Sequence, residues 1–171
     1  ADTPESMEIC FIPVNNYKRF VKEYAKNKIN YSDSLGDTLD EKGKKIGKNG
    51  GYVNYTVGQR KGIGVTSATP LYVKKINPKN NSITVSKKES LFSEKCKISN
   101  INWLDKNLKL PLNVFTQIRY NGNISKTYIS NYKNNILAKF EKPQLAITPG
   151  QSIVFYDKNE RLLGGGIIEN L

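Results

Sequence analysis

Leu71-Tyr-Val-Lys-Lys-Ile-Asn-Pro-Lys-Asn-Asn-Ser-Ile-Thr-Val-Ser86 is the stretch that decides the fold class. Two runs rich in β-branched and aromatic residues flank Asn77-Pro-Lys-Asn-Asn81, where proline and asparagine favour chain reversal. The pattern predicts a β-hairpin. The same texture repeats downstream. Ile98–Leu104, Asn113–Tyr120, Lys126–Tyr132, Asn135–Phe140, Ser152–Tyr156 and Leu162–Glu169 read as short strands, and no helical periodicity interrupts them. Strands at this spacing predict a small closed barrel. Residues 87–97 read as a polar loop, and 105–113, with Asp105, Asn107 and Pro111, as a linker.

Upstream of the hairpin the signals are mixed. Tyr52–Val57 reads as a strand, and residues 27–51, rich in Gly, Asp, Lys and Asn, as loops with one or two short strands. Tyr17, Phe20, Val21 and Tyr24 fall at helical spacing opposite Lys18, Arg19, Lys22 and Glu23, which predicts a helix ending near Lys26. Ile9-Cys10-Phe11-Ile12, stopped by Pro13, reads as a buried strand or strand end. The expected fold is mainly β with a short N-terminal helical segment. A small α+β unit over 17–105 is followed by an all-β barrel over 106–171.

Composition narrows the chemistry. Lys and Arg number 27 against 15 Asp and Glu, a formal charge of +12 over 171 residues. Such an excess favours a polyanionic partner, although a wet basic surface alone also accounts for it. The chain has no histidine, so the commonest general base is excluded. Its two cysteines, Cys10 and Cys96, make neither a disulfide framework nor a zinc site, and no metal site is expected. The cysteine usage points to a reducing compartment, hence the cytoplasm. No apolar run approaches the ~20 residues that span a bilayer, so no membrane partner is expected. The opening ADTPESMEICF lacks a basic lead and a starting Met, and reads as a cut into a longer chain.

Asn54-Tyr-Thr-Val-Gly-Gln-Arg-Lys-Gly-Ile-Gly64 sets Gln59, Arg60 and Lys61 among three glycines that let the backbone turn tightly. Either this is a wet turn between strands, or its donors face an anion, most plausibly phosphate.

Four segments carry more information than composition. They are Ser6-Met-Glu-Ile-Cys-Phe-Ile-Pro13, Tyr55-Thr-Val-Gly-Gln-Arg-Lys-Gly62, Thr148-Pro-Gly-Gln-Ser152 with Val154-Phe-Tyr156, and Leu163-Gly-Gly-Gly-Ile-Ile168. In this order and spacing, with Arg119-Tyr120 and Phe140-Glu-Lys-Pro-Gln-Leu-Ala146, the chain resembles the C-terminal part of bacterial tRNA-specific 2-thiouridylases, the MnmA/TrmU family. The resemblance extends over essentially the whole chain.

The resemblance implies thiolation of the wobble uridine of tRNA at C2, with ATP and a persulfide sulfur. ATP would bind an N-terminal PP-loop domain, whose loop pattern is not found here because Gly50-Gly51 is followed by Tyr-Val-Asn. Residues 1–16 would then be the tail of that catalytic domain, 17–105 the central domain, and 106–171 a barrel like the second domain of elongation factors. Cys10 matches the persulfide cysteine; a thiolate accepts sulfane sulfur and delivers it to an activated carbon. Read from its apolar run alone, Cys10 is an inert buried core thiol; the surrounding motif reverses that reading. Arg119, Tyr120 and Gln151 match positions that contact tRNA, and Gln59, Arg60 and Lys61 join them as candidates. Implied partners are tRNA and a sulfur-donor protein, either a relay protein or a cysteine desulfurase. The chain alone is expected to be inactive. The alternative is a non-catalytic basic β-barrel that binds RNA. One departure is Asn49, which stands where the family usually carries a histidine; it cannot titrate near neutrality. Gly164-Gly-Gly166 reads as a structural bulge or close strand approach.

Overall fold

The computed structural model describes residues 19–20, 23–24, 35–120 and 122–171. Arg19, Phe20, Glu23 and Tyr24 are helical, as their spacing predicts. Arg19 Nε meets Glu23 at 2.8 Å one turn on, and the Phe20 and Tyr24 rings stack at 5.8 Å. The remainder of the expected helix, the Ile9–Ile12 strand and Cys10 lie outside the described residues.

The hairpin forms from β3 (Tyr72–Asn77) and β4 (Ser82–Ser86). An Asx turn closes it: Lys79 N–H donates to Asn77 Oδ1 at 3.1 Å, and Asn81 takes the positive φ that asparagine tolerates. Two shorter strands, β1 (Gly36–Leu39) and β2 (Lys45–Asn49), complete a four-stranded sheet in the order β2-β1-β4-β3. β1 runs parallel to β4, and the other pairs are antiparallel. A small core of Ile63, Val73, Ile83 and Val85 lies on it.

Six strands close the barrel: β5 (Phe92–Trp103), β6 (Leu112–Gln117), β7 (Ser125–Tyr132), β8 (Asn135–Leu145), β9 (Ser152–Tyr156) and β10 (Leu162–Glu169). Their order is β10-β5-β8-β7-β6-β9, and every pair is antiparallel. The alternation along β7 shows why the sequence folds so. Ser125, Thr127 and Ile129 point inward and are buried, while Lys126 and Tyr128 point out. Ile98, Ile129, Ile153 and Phe155 fill the interior, and Trp103 stacks on Phe155 at 5.2 Å. Gly164–Gly166 crosses a bulge in the register with both neighbours, as expected of that run.

Three expectations are corrected. Tyr52–Val57 is not a strand: Tyr52–Asn54 form one 3₁₀ turn, and Thr56–Gln59 form a β-turn. Residues 87–97 are not a loop throughout, since a 3₁₀ turn at Lys88–Leu91 runs directly into β5. The boundary near 105 is also displaced. β5 pairs with β8 and β10, so the barrel begins at Phe92, and residues 92–105 leave the upstream unit. Cys96 and Ile98 alternate inward with Lys95 and Lys97, a period of two hidden by the polar composition of 87–97.

Candidate nucleic-acid interface

Two turns with the same sequence pattern, Thr-x-Gly-Gln, stand at the junction of sheet and barrel. In the first, Gln59 N–H donates to the Thr56 carbonyl at 3.0 Å, with Gly58 at φ 90°. In the second, Gln151 N–H donates to the Thr148 carbonyl at 3.2 Å, with Gly150 at φ 87°. A positive φ at the third position only is the signature of a type II turn, and Pro149 pre-sets the second position. Thr56, Val57, Thr148 and Pro149 all line one groove of about 650 Å³.

Ala146 joins these parts. Its N–H donates to the Leu91 carbonyl at 2.9 Å. Its carbonyl accepts Arg119 Nη2 at 2.6 Å and Thr148 Oγ1 at 2.9 Å. A Cβ built on Gly58 would lie 3.0 Å from Ala146 Cβ and 3.9 Å from Arg119 Nη2. The first turn of the upstream unit thus packs against the residue that holds Arg119 and the second turn.

The candidate side chains play different parts. Gln59 closes its own turn: Oε1 accepts the Thr56 N–H at 3.1 Å, and Nε2 donates to the Lys61 carbonyl at 2.9 Å. Arg60 and Lys61 project from that turn, exposed, and among the described residues no ion pair holds either. Arg119 donates one of its five N–H groups to the Ala146 carbonyl. Tyr120 is 77% exposed, on the turn closed by Gly122 N–H to the Arg119 carbonyl at 3.0 Å. Gln151 is exposed, its backbone fixed by the turn and by Ile168 N–H donating to its carbonyl at 2.8 Å. The structure brings Arg119 and the turns that carry Gln59 and Gln151 to one junction at Ala146, through Gly58 and Thr148. Lys75 and Lys95 add positive charge to the groove between the turns, while Lys74 is paired with Glu41 at 2.6 Å.

Sequence reasoning missed Ala146 as the hub. The available signal was a small residue immediately before Ile147-Thr-Pro-Gly, where a tight approach needs little side chain.

Asn49 is buried at 3% exposure, its Oδ1 accepting the Gly51 N–H at 2.8 Å. Gly50 N–H in turn donates to Tyr55 Oη at 3.2 Å. The buried Gly51 amide is thus taken by Asn49 and the exposed Gly50 amide by Tyr55. Among the described residues no group of His, Cys, Asp or Glu could hold a metal ion, and no helix is long and apolar enough to cross a membrane. The Cys96 thiol is buried inside the barrel, and that burial pushes its pKa up to about 12.

Residues 18–87 match the tRNA methyl transferase PRC-barrel domain, and residues 93–168 match the aminomethyltransferase beta-barrel domain. The second match coincides with the barrel from β5 to β10. The chain is 43% identical over 171 residues to tRNA-specific 2-thiouridylase MnmA 2 of Thermoanaerobacter sp. (strain X514), covering 99% of this chain and 46% of that protein. It is 43% identical over 170 residues to tRNA-specific 2-thiouridylase MnmA of Clostridium perfringens (strain 13 / Type A), covering 98% and 46%. With tRNA-specific 2-thiouridylase MnmA of Carboxydothermus hydrogenoformans it shares 39% identity over 172 residues, covering 99% and 46%. The chain therefore spans about half the length of the curated relatives it matches.

Proposed function

We propose a function on one premise: the chain belongs to the family of the tRNA-specific 2-thiouridylases. In this reading it is part of a longer tRNA-modifying sulfurtransferase, and it supplies a docking surface for tRNA and the cysteine that carries the transferred sulfur. The observation that supports the docking half is the convergence of the Gly58 turn, Arg119 and the Thr148 turn on Ala146. Arg60, Lys61, Tyr120 and Gln151 are exposed on turns, and Lys75 and Lys95 line the groove that Thr56 and Thr148 share. Arg and Lys suit phosphate oxygens, and an exposed Tyr suits a base or ribose.

The sulfur half rests on Cys10. Its thiolate attacks the sulfane sulfur of a donor protein's persulfide; the donor leaves as a thiolate, and Cys10 becomes the persulfide. The terminal sulfur then adds to C2 of a wobble uridine whose O2 has been adenylated with ATP. A thiolate of a second cysteine in the longer protein attacks the Cys10 sulfur, and the new disulfide frees the transferred sulfur onto C2. The O2 departs as AMP, and a cellular thiol reduces the disulfide before the next turnover. In this reading ATP binds the part of the longer protein outside these residues. A cytoplasmic setting, where tRNA and free thiols are at hand, fits this chemistry.

The test is 2-thiouridine content, by mass spectrometry, of tRNA treated with ATP, a persulfide donor and the longer protein carrying this chain. Cys10→Ser is expected to abolish thiolation while leaving tRNA affinity unchanged. Thiolation that persists in Cys10→Ser would overturn the sulfur-carrier role.

A further inference from the structure

The strand register aligns the barrel's outward side chains into two neighbouring rows. In one, Lys95 of β5 stands opposite Lys139 of β8, and Lys139 opposite Tyr128 of β7. In the next, Lys126 of β7 stands opposite Phe115 of β6, and Phe115 opposite Tyr156 of β9. Adjacent strands lie ~4.8 Å apart, and alternate residues on one strand ~6.7 Å apart. Tyr128 therefore has Lys139 beside it and Lys126 one step along its own strand. Tyr128 is 45% exposed, the three lysines are exposed, and Phe115 and Tyr156 are half-buried.

Phe115, Lys126, Tyr128 and Lys139 of this wall line a groove of about 910 Å³, with Leu108 and Asp157, Lys158 and Arg161 of the β9–β10 hairpin. Its charge is one-sided. The Asp157 carboxylate is consumed by the hairpin, accepting the N–H groups of Asn159 and Arg161 at 2.8 and 2.9 Å and Arg161 Nε at 3.2 Å. Among the lining residues that leaves Glu141 against Lys126, Lys139 and Lys158. Lys95 continues the first row into the groove between the two turns, so wall and junction form one basic surface.

We propose that this wall is a second RNA-contact surface, seating a stretch of tRNA with an accessible base, its phosphates on Lys126 and Lys139 and the base stacked on Tyr128. An acidic peptide would satisfy the lysines but offer no planar partner to the exposed ring. RNA supplies both phosphate and base. The inference rests on the reading that the chain acts on tRNA, and it adds a site that neither the turns nor Arg119 contain.

The experiment is equilibrium binding of an unmodified tRNA transcript to the chain across a salt series. Lys126→Ala/Lys139→Ala is expected to flatten the slope of log affinity against log salt by about 1.4 to 1.8, the contribution of two phosphate contacts. A Lys87→Ala/Lys88→Ala control, two exposed lysines outside the barrel, should leave the slope in place. Tyr128→Ala is expected to weaken binding roughly tenfold at fixed salt, and Tyr128→Phe to retain affinity within about twofold. A wall variant that behaves like the control overturns the inference. If Arg119→Ala/Gln151→Ala weakens binding while the wall variants do not, only this inference fails. If the unmutated chain binds no tRNA at any salt, the docking half of the proposed function falls with it.

Discussion

Arg119 donates from Nη2 to the carbonyl oxygen of Ala146 at 2.6 Å, tying the segment after β6 to the segment after β8 beside the Gly58 turn of the upstream unit. A cation held this way has two consequences that a free surface arginine lacks. Its orientation is set before any ligand arrives, and its removal disturbs the junction.

Arg119→Ala is therefore expected to act on both stability and RNA. A charged donor on a carbonyl, discounted for partial exposure, contributes about 1 kcal/mol, which at this chain length lowers Tm by about 2–4 °C. The salt slope for tRNA should fall by about one phosphate equivalent. Arg119→Lys keeps the charge but loses the planar fork, and should recover the slope better than the melting temperature. Thermal unfolding beside salt-dependent binding checks both. A variant with unchanged Tm and unchanged slope would remove Arg119 from the interface and the junction alike.

The two Thr-x-Gly-Gln turns offer an internal comparison. Gly58 and Gly150 share nearly the same φ, 90° and 87°, but a Cβ at 58 meets Ala146 Cβ at 3.0 Å whereas a Cβ at 150 meets nothing within 4 Å. Gly150→Ala should cost about 1 kcal/mol, the left-handed backbone penalty alone. Gly58→Ala should cost about 2 kcal/mol, because the contact adds to the same penalty. Urea denaturation of the two single variants separates strain from contact. Equal losses would mean that the upstream turn does not press on the barrel.

Much of this fold was legible in the sequence because strand alternation is a local signal. β3, β4, β9 and β10 fall within a residue or so of the runs read from Leu71–Ile76, Ser82–Ser86, Ser152–Tyr156 and Leu162–Glu169. The first half of β5 was not legible. Glu94, Lys95 and Lys97 make it look like a loop, and only pairing with β8 and β10 makes a strand of it. Tyr52–Val57 fails for the opposite reason. Its β-prone side chains are overruled by Asn54, whose Nδ2 donates to the Gly50 carbonyl at 2.6 Å, and by the Gly58 turn. At the interface, Gln59, Arg119 and Gln151 could be singled out as residue types. The meeting of Arg119 with the Gly58 and Thr148 turns at Ala146 could not, since it depends on how two units pack. The wall around Tyr128 was equally hidden, because its lysines come from three strands spread between residues 95 and 139.

Asn49 gives a prediction about the upstream unit. Its Oδ1 satisfies the Gly51 N–H at 2.8 Å, and both residues are buried. Asn49→Ala leaves that donor without an acceptor inside the fold, at a cost of about 1–3 kcal/mol. Asn49→Asp keeps an acceptor at the same place but buries a charge, and is expected to be destabilising near neutrality and milder toward acid, where the carboxyl is protonated. Chemical denaturation at two pH values distinguishes the cases. An Asn49→Ala chain as stable as the parent would show that the Gly51 amide finds another partner.

Cys96 yields the pH prediction. Its thiol lies within the barrel core opposite Ala138, and burial raises its pKa from 9.0 to about 12. A thiol that ionises less readily folded than unfolded holds its proton longer in the native state, so its contribution to stability is intact below pH 9 and is lost between pH 9 and about 12. Within that window the unfolded chain has released a proton that the folded chain keeps, and stability should fall by about 1.4 kcal/mol per pH unit from this group. Lysines and tyrosines titrate over the same range, so the quantity to measure is the difference between the parent chain and Cys96→Ala, which lacks the ionisable thiol. Urea denaturation from pH 8 to 11 should show the two stability curves converging as pH rises, with the parent losing its advantage. Thiol chemistry gives an independent check. In a Cys10→Ser background Cys96 is the remaining cysteine, and with so little thiolate at pH 8 it should resist iodoacetamide until denaturant opens the barrel. Rapid native labelling together with parallel stability curves would show that Cys96 reaches solvent, and the assignment of sulfur transfer to Cys10 would then have a competitor within the same chain.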